Sequence, residues 1–253
     1  MFLLDYVTAL PIGGGLGRFS AAGSGSDPLR LNVGDRVGDL PELVSCRRRA
    51  LGDAYGHPLV WMHQTHSSRV QQVGPQDLAE GVSLDADGLV ANIEDFTGLT
   101  PALAVQVADC MPVLLASADG HLIAAVHAGR RGFEANILEK AVELMHSLGD
   151  HGPISAAIGP AICGHCYEVP ADLRDRICAR FPHAWSTTSW GTPSLDLPAA
   201  AVCELERLGV SAVDVGPCTY ESDQHFSYRR DSRCGRQAGI IQGSDMPAFK
   251  SPL

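Results

Sequence analysis

An Asp119-Gly120 pair stands between two arms rich in apolar and β-branched residues, Cys110 to Ala118 and His121 to His127. This is the strongest short-range signal for a β-hairpin, because a type I′ turn takes positive φ at both central residues. If Ala118 faces His121, the same register puts Pro112 opposite His127. Cys110 is then a diagonal cross-strand neighbour of His127, at roughly 7–8 Å between backbones. A sulfur and an imidazole so placed can share a zinc or copper ion, or act as a cysteine nucleophile with its base. A buried thiol beside a half-exposed histidine in an ordinary sheet satisfies the same pattern.

The hairpin sits within a chain that mixes strand and helix signals. Strands are expected at Leu59–Met62, Arg69–Val73, Gly88–Ala91, Leu103–Val107 and Ile154–Ile158. Apolar residues at Phe133, Ile137, Ala141, Leu144 and Leu148 recur at helical spacing, with Gly149 as the stop. Further helices are expected over Ala171–Phe181 and Pro198–Leu208, and a short one with a basic face begins near Pro41 and runs through Arg47 to Leu51. The Gly- and Ser-rich stretch from Gly13 to Pro28 reads as a mobile surface loop or lid. Such an order points to a mixed-sheet α+β or layered α/β fold and not to a strict βαβ repeat.

Size and charge narrow the classes of function. With 253 residues, 45% of them apolar, the chain can bury a substantial core. No apolar run approaches the ~20 residues of a membrane helix. Met1 to Leu10 contains Asp5 and no basic segment, so neither a signal peptide nor a membrane anchor is expected, and the address is the cytoplasm. The eight cysteines of so long a chain read as thiols or ligands and not as a disulfide frame. A net charge of −10 disfavours nucleic acid as a partner, while a small anionic substrate needs only a local positive pocket.

Several motifs carry chemistry. His63-Gln64-Thr65-His66 lies between two expected strands, where histidines three apart point in different directions, so one of them, His66, is expected to serve. With Cys110 and His127 it makes a set of three protein ligands with an open fourth position, the arrangement of a catalytic zinc. After His127, Gly129-Arg130-Arg131-Gly132 opens a helix and offers backbone N–H groups and guanidinium charge to an anion. Ser227-Tyr228-Arg229-Arg230-Asp231, with Arg233 and Arg236, is the densest positive stretch, either a solvated face or a grip on phosphate or carboxylate. Glu168, Asp85 and Asp87 are candidate acid–base groups or ligands for sugar hydroxyls, or structural carboxylates. Cys163-Gly-His-Cys166 has the spacing of a redox pair or half a zinc site, but no second Cys-x-x-Cys exists, and it is taken as a turn with incidental thiols.

These segments, in their order, resemble a family first labelled laccase-domain or multicopper polyphenol oxidase, later reassigned to purine nucleoside phosphorylase activity and also called the peptidoglycan editing factor family. The matching stretches run from Leu31-Asn32-Val33-Gly34-Asp35 through Gln64-Thr65-His66, Asp87-Gly88-Leu89-Val90, Ala108-Asp109-Cys110-Met111-Pro112-Val113 and Val126-His127-Ala128-Gly129. They continue through Ile158-Gly159-Pro160, Cys166-Tyr167-Glu168-Val169 and Cys218-Thr219 to Phe226-Ser227-Tyr228-Arg229-Arg230-Asp231. The resemblance implies one domain over residues 1–253, a mixed-sheet α/β sandwich like that of cysteine hydrolases and shared with certain cysteine-dependent toxins. It implies that His66, Cys110 and His127 are the catalytic, metal-binding set, occupied by zinc and sometimes copper, and that Asn32, Arg47, Arg131 and Arg229 bind phosphate or nucleoside. The implied activity is phosphorolysis of adenosine, inosine, guanosine and 5′-methylthioadenosine, with adenosine deamination; a monomer and a homodimer are both compatible with the sequence. Position 130 departs from the family, being Arg where Trp is usual, so a stacking surface expected there is absent, and no arginine precedes Gly13-Gly14.

Three other functions compete. Cys110 as nucleophile and His127 as base can hydrolyse an amide in a cell-wall precursor. Laccase chemistry requires many clustered histidines, including His-x-His pairs, and none of the ten here forms one. A noncatalytic metal-binding or redox role can rest on Cys163 and Cys166.

Overall fold

The structure, a computed structural model, describes residues 7–244 apart from 24 and 80–82. Two six-stranded mixed sheets stack face to face. The first has the order β1 (Val7–Ile12), β2 (Gly15–Ser20), β14 (Gln237–Gln242), β7 (Ala102–Val107), β3 (Leu59–Met62), β5 (Ser83–Leu84). The second has the order β13 (Ser211–Asp214), β10 (Ile154–Ile158), β8 (Met111–Ser117), β9 (Leu122–Ala128), β6 (Gly88–Asn92), β4 (Val70–Gln72).

Strand periodicity explains the stacking. Along β7, Leu103, Val105 and Val107 face the inter-sheet core, where they meet Leu114, Ala116 and Ile123 of the second sheet. The alternate residues Ala102 and Ala104 turn outward to pack with Leu51 of α1 (Pro41–Tyr55). Along β8, Met111, Val113 and Leu115 turn the other way, onto Ile137, Ala141 and Met145 of α3 (Ile137–Ser147) and Ala201 and Leu205 of α5 (Leu197–Arg207). The result is four layers, helix, sheet, sheet, helix, and the central strands are buried on both faces. That is why they read as continuous apolar runs. α4 (Ala171–Cys178) and a small ribbon, β11 (Trp185–Thr187) with β12 (Pro193–Leu195), flank the second sheet.

The β8–β9 hairpin keeps the predicted register, Pro112 opposite His127, but not the predicted turn. Gly120 alone takes positive φ, 77°, while Asp119 does not. The four-residue connection lets a glycine carry the left-handed position, so the side-chain-bearing Asp119 is spared its steric cost. Asp119 instead accepts hydrogen bonds from the Ser117 hydroxyl (2.6 Å) and the His121 amide (2.9 Å).

Two other expectations are corrected. The stretch from Gly13 is not a lid over most of its length: β1 and β2 pair through a Gly13-Gly14 turn, and Phe19 to Gly23 are buried. The glycines are there for close packing, since a Cβ on Gly14 would lie 2.4 Å from the Gly120 nitrogen. Among the described residues of the stretch, exposure is confined to Gly13 at the turn and the segment from Gly25 to Pro28. The helix expected from Phe133 is broken into α2 (Arg130–Glu134) and α3, because Asn136 between them adopts φ 65°. Asparagine tolerates that conformation better than most residues.

Candidate active site

Two crossings between the sheets build the site. β3 of the first sheet leaves through Gln64-Thr65-His66-Ser67 toward β4 of the second, and β7 leaves through Ala108-Asp109-Cys110 into β8. Both crossings contain a left-handed residue other than glycine, His66 at φ 61° and Asp109 at φ 85°. Such backbone costs roughly 1–2 kcal/mol and persists where surrounding contacts over-determine it. The fully buried Asp87 supplies them at the first crossing. Its carboxylate accepts the amides of Thr65 (3.1 Å), His66 (2.9 Å) and Ser67 (2.7 Å), and the Ser67 hydroxyl (2.6 Å). At the second crossing, Asp109 accepts the Thr219 hydroxyl and the Arg229 amide, each at 2.7 Å.

His66, Cys110 and His127 thereby converge. Cys110 Sγ lies 3.8 Å from His66 Nε2, and one ligand atom from each of the three residues lies within 4.8 Å of the others. The two imidazoles meet edge to face at 4.8 Å between centroids. His127 donates from Nδ1 to Asp87 Oδ1 (2.8 Å), which fixes its ring and leaves Nε2 for Cys110 or a metal ion. Gly129 makes room for the group: a Cβ there would lie 2.8 Å from His66 Cδ2 and 3.2 Å from Cys110 Sγ. Two nitrogens, one sulfur and an open side toward a cavity fit a metal ion with three protein ligands.

The electrostatics of the same residues fit a reactive thiolate. Burial would raise the Cys110 thiol, but the adjoining charge of His127 and hydrogen bonds from His127 and His66 bring it down to about 6. Burial would lower His127, yet the Cys110 charge and the Asp87 hydrogen bond raise it to about 9. Between these values the pair is thiolate and imidazolium. Burial would likewise raise Asp87, but hydrogen bonds from His127 and Ser67 hold it well below the ordinary carboxylate range.

The three residues open onto a cavity of about 470 Å³, within the range of small-molecule sites. Its walls include Tyr167, Tyr228, Gln64 and the arginines Arg36, Arg229 and Arg236. Arg229 lies over the Tyr167 ring, 4.8 Å from its centroid, and donates to the Glu168 carbonyl (2.9 Å). A larger cavity of about 770 Å³ between α1 and β3 has no cysteine in its lining.

Of the residues proposed for substrate, Arg229 alone lines the Cys110 cavity. Asn32 is fully buried and organises the backbone, accepting the amides of Gly34 and Arg236 and donating to Asp39. Arg47 pairs with Asp39 at 2.6 Å. Both support the loop that carries Asp35 and Arg36 into the cavity wall. Arg131 is exposed and outside the lining, at the first turn of the five-residue α2. Arg130 pairs with Glu134 at 2.6 Å and hydrogen-bonds Tyr167. The Glu168 carboxylate holds the Trp190 indole (2.8 Å), and Asp85 pairs with His63 (2.7 Å). Sequence reasoning missed Tyr167, Gln64 and Arg36; Tyr167 and Gln64 adjoin residues it had singled out. Gln64 is held by exchanging hydrogen bonds with the Gln106 backbone, 2.8 and 2.9 Å.

Fold and site together define a mixed α+β protein whose two-sheet sandwich carries a histidine–cysteine–histidine centre at the edge where the chain crosses between sheets. The chain belongs to the family described as multi-copper polyphenol oxidoreductase laccase, whose profile matches residues 20–244. Among curated relatives, a purine nucleoside phosphorylase of Mycobacterium tuberculosis is 44% identical over 218 residues, covering 83% of this chain and 83% of its own. One from Streptomyces griseus is also 44% identical, covering 83% and 86%. The solved Neisseria meningitidis protein NMB0706 superposes with a TM-score of 0.79 at 31% identity, covering 94% of this chain and 98% of its own. YlmD from Geobacillus stearothermophilus has a TM-score of 0.77 at 27% identity, covering 92% and 93%.

Proposed function

We propose that the protein is a cytoplasmic, metal-dependent purine nucleoside phosphorylase that uses His66, Cys110 and His127 as ligands, acts on adenosine, inosine, guanosine and 5′-methylthioadenosine, and also deaminates adenosine. The observation that carries this reading is the convergence of the three ligands on a cavity walled by three arginines and two tyrosines. The relatives' names support the phosphorylase assignment. Zinc is the expected ion, given one thiolate and two imidazoles, with copper as the competing ion. When bound, it supplies a Lewis-acid centre with an open coordination position.

In phosphorolysis a phosphate oxygen attacks ribose C1′ as the C1′–N9 bond breaks. The purine leaves with a proton and ribose 1-phosphate remains. Arg229, Arg36 and Arg236 hold the phosphate dianion and neutralise it, so that the reaction is governed by positioning and charge. The Tyr167 and Tyr228 rings offer apolar faces to the base. Asp87 orients His127 and, through the Thr65–Ser67 amides, the His66 backbone as well. Deamination replaces the amino group at purine C6 by water-derived oxygen and releases ammonia.

A second reading is favoured by the Asp87–His127–Cys110 alignment and the low thiol of Cys110: a cysteine amide hydrolase acting on peptidoglycan precursors. Laccase chemistry lacks support, because no donor grouping among the described residues gathers more than two histidines. Incubation with adenosine and phosphate, followed by mass spectrometry for adenine, inosine and ribose 1-phosphate, tests the leading reading. Recovery of unchanged adenosine from folded, zinc-loaded protein removes it. A Cys110→Ser variant with and without added zinc separates the second reading, since a thioester route fails at any metal supply.

A further inference from the structure

A second cluster of soft donors lies outside the His66–Cys110–His127 centre. Cys163, Cys166, Cys218 and Glu221 each offer one ligand atom, and all four atoms lie within 4.8 Å of one another. Two chain segments contribute. Cys163-x-x-Cys166 follows β10, and Cys218-x-x-Glu221 follows β13, so the missing second half of the zinc pattern ends in a carboxylate where a cysteine was sought. Backbone contacts hold the halves together: Ala161 and Cys218 form a parallel bridge, and the Thr219 amide donates to the Ala161 carbonyl at 3.0 Å. The amides of Cys166 and Tyr167 both donate to the Cys163 carbonyl at 3.0 Å, closing a tight turn around the first pair. The Cys163 amide donates to Cys218 Sγ (3.4 Å), and Cys166 Sγ donates to Glu221 Oε1 (3.5 Å). Arg230 anchors the opposing turn by donating to the carbonyls of Thr219, Tyr220 and Ser222.

We propose that Cys163, Cys166, Cys218 and Glu221 form a second zinc site, distinct in chemistry from the first, which staples the segment leading to Tyr167 of the cavity wall to the turn that Arg230 anchors beside Arg229. Tetrahedral zinc with ~2.3 Å bonds to sulfur sets ligand atoms roughly 3.6–3.8 Å apart. The Cys166–Glu221 separation of 3.5 Å suits a sulfur–oxygen pair, zinc's bond to oxygen being shorter at ~2.0 Å, and no pair needs to close by more than about 1 Å. Three thiolates select a soft or borderline ion, and four protein ligands leave no open position, which marks a structural site. A disulfide satisfies the arrangement less well, because three sulfurs cannot all pair and a carboxylate has no part in one. Binding displaces three thiol protons, and zinc with three thiolates and a carboxylate carries a net charge of −2. The site sits where it can govern the cavity: Tyr167 directly follows Cys166, Arg229 directly precedes Arg230, and Arg229 rests on the Tyr167 ring.

Cobalt(II) loading of a Cys110→Ser variant tests the site independently of the first centre, which then has no thiolate. The expected result is one cobalt per chain with intense near-ultraviolet thiolate-to-cobalt absorption, abolished by adding Cys218→Ser and weakened at least ~10-fold in affinity by Glu221→Gln, the order of loss when a metal site's supporting groups are altered. Should Cys218→Ser fail to fold, alkylation decides: zinc-loaded Cys110→Ser protein protects Cys163, Cys166 and Cys218 from iodoacetamide, and a chelator exposes them. Absence of the thiolate band, equal labelling with and without metal, or a Cys163–Cys218 or Cys163–Cys166 disulfide in the freshly purified protein overturns the proposal.

Discussion

At the scale of single residues, Asp87 carries more of the site than any ligand does. One buried carboxylate orients His127 and holds three successive amides around the strained His66. Through His127 it also sustains the Cys110 thiolate. In metal-free protein, alkylation of Cys110 by iodoacetamide, mapped by mass spectrometry, is therefore expected to rise with a midpoint near pH 6. The sign follows from the lowered thiol: protonation below that pH removes the nucleophile, and the reaction slows as acid is added. His127→Gln removes the charge that lowers the thiol, so the midpoint should move up toward the ordinary range near ~8.5. An unchanged midpoint in that variant would show that His127 does not set the ionisation. Arg229 belongs to the same scale: Arg229→Gln should raise the KM for phosphate about 10-fold or more, the loss of a charged hydrogen bond of about 1.5–3 kcal/mol, with a smaller effect on kcat.

At the scale of elements, the hairpin and the turn after β9 set the spacing of the ligands. The register of β8 on β9 follows from the apolar arms and the Asp-Gly connection, and it places His127 two positions from the strand neighbour of Cys110. Gly129 lies directly after β9, at the start of α2, at φ −70°, a conformation open to any residue, so its constraint is one of space. Gly129→Ala should displace His66 or Cys110 and lower phosphorolysis by about 10²-fold, as misplacement near 1 Å commonly does. Thermal stability should change little, which differential scanning calorimetry can verify. Retained activity would show that the ligands yield without losing their geometry. The α2–α3 break is hidden in the sequence because helical spacing of the apolar residues continues across it. Only the local preference of Asn136 for a left-handed backbone hints at the interruption.

At the scale of the whole molecule, stacking of the two sheets brings the crossings together. Gly159, after β10 in the second sheet, abuts Phe19 of β2 in the first, and a Cβ on it would lie 2.2 Å from that ring. Gly159→Ala should destabilise the fold by about 1–3 kcal/mol through overpacking, a fall of roughly 2–10 °C in Tm, while zinc stoichiometry stays unchanged. A wild-type Tm would mean that the sheets adjust freely at this seam. Much of the architecture was legible from local pattern: the central strands, α3 to α5 and the hairpin register depend on periodicity and turn chemistry among near neighbours. β1, β2 and β14 were not, because glycines that pack against other strands look like a loop when read along one chain. The sequence by itself determined that Cys110 and His127 share a sheet face and that His66, not His63, is the third candidate ligand. Only the tertiary structure decided that Asp87 orients His127 and holds the His66 backbone, that Asn32 and Arg47 support a loop and do not line the cavity, and that Cys218 and Glu221 lie beside the Cys163–Cys166 pair. Contacts between residues 21 to 55 positions apart depend on how two twisted sheets cover each other's apolar faces, and no local spacing encodes that.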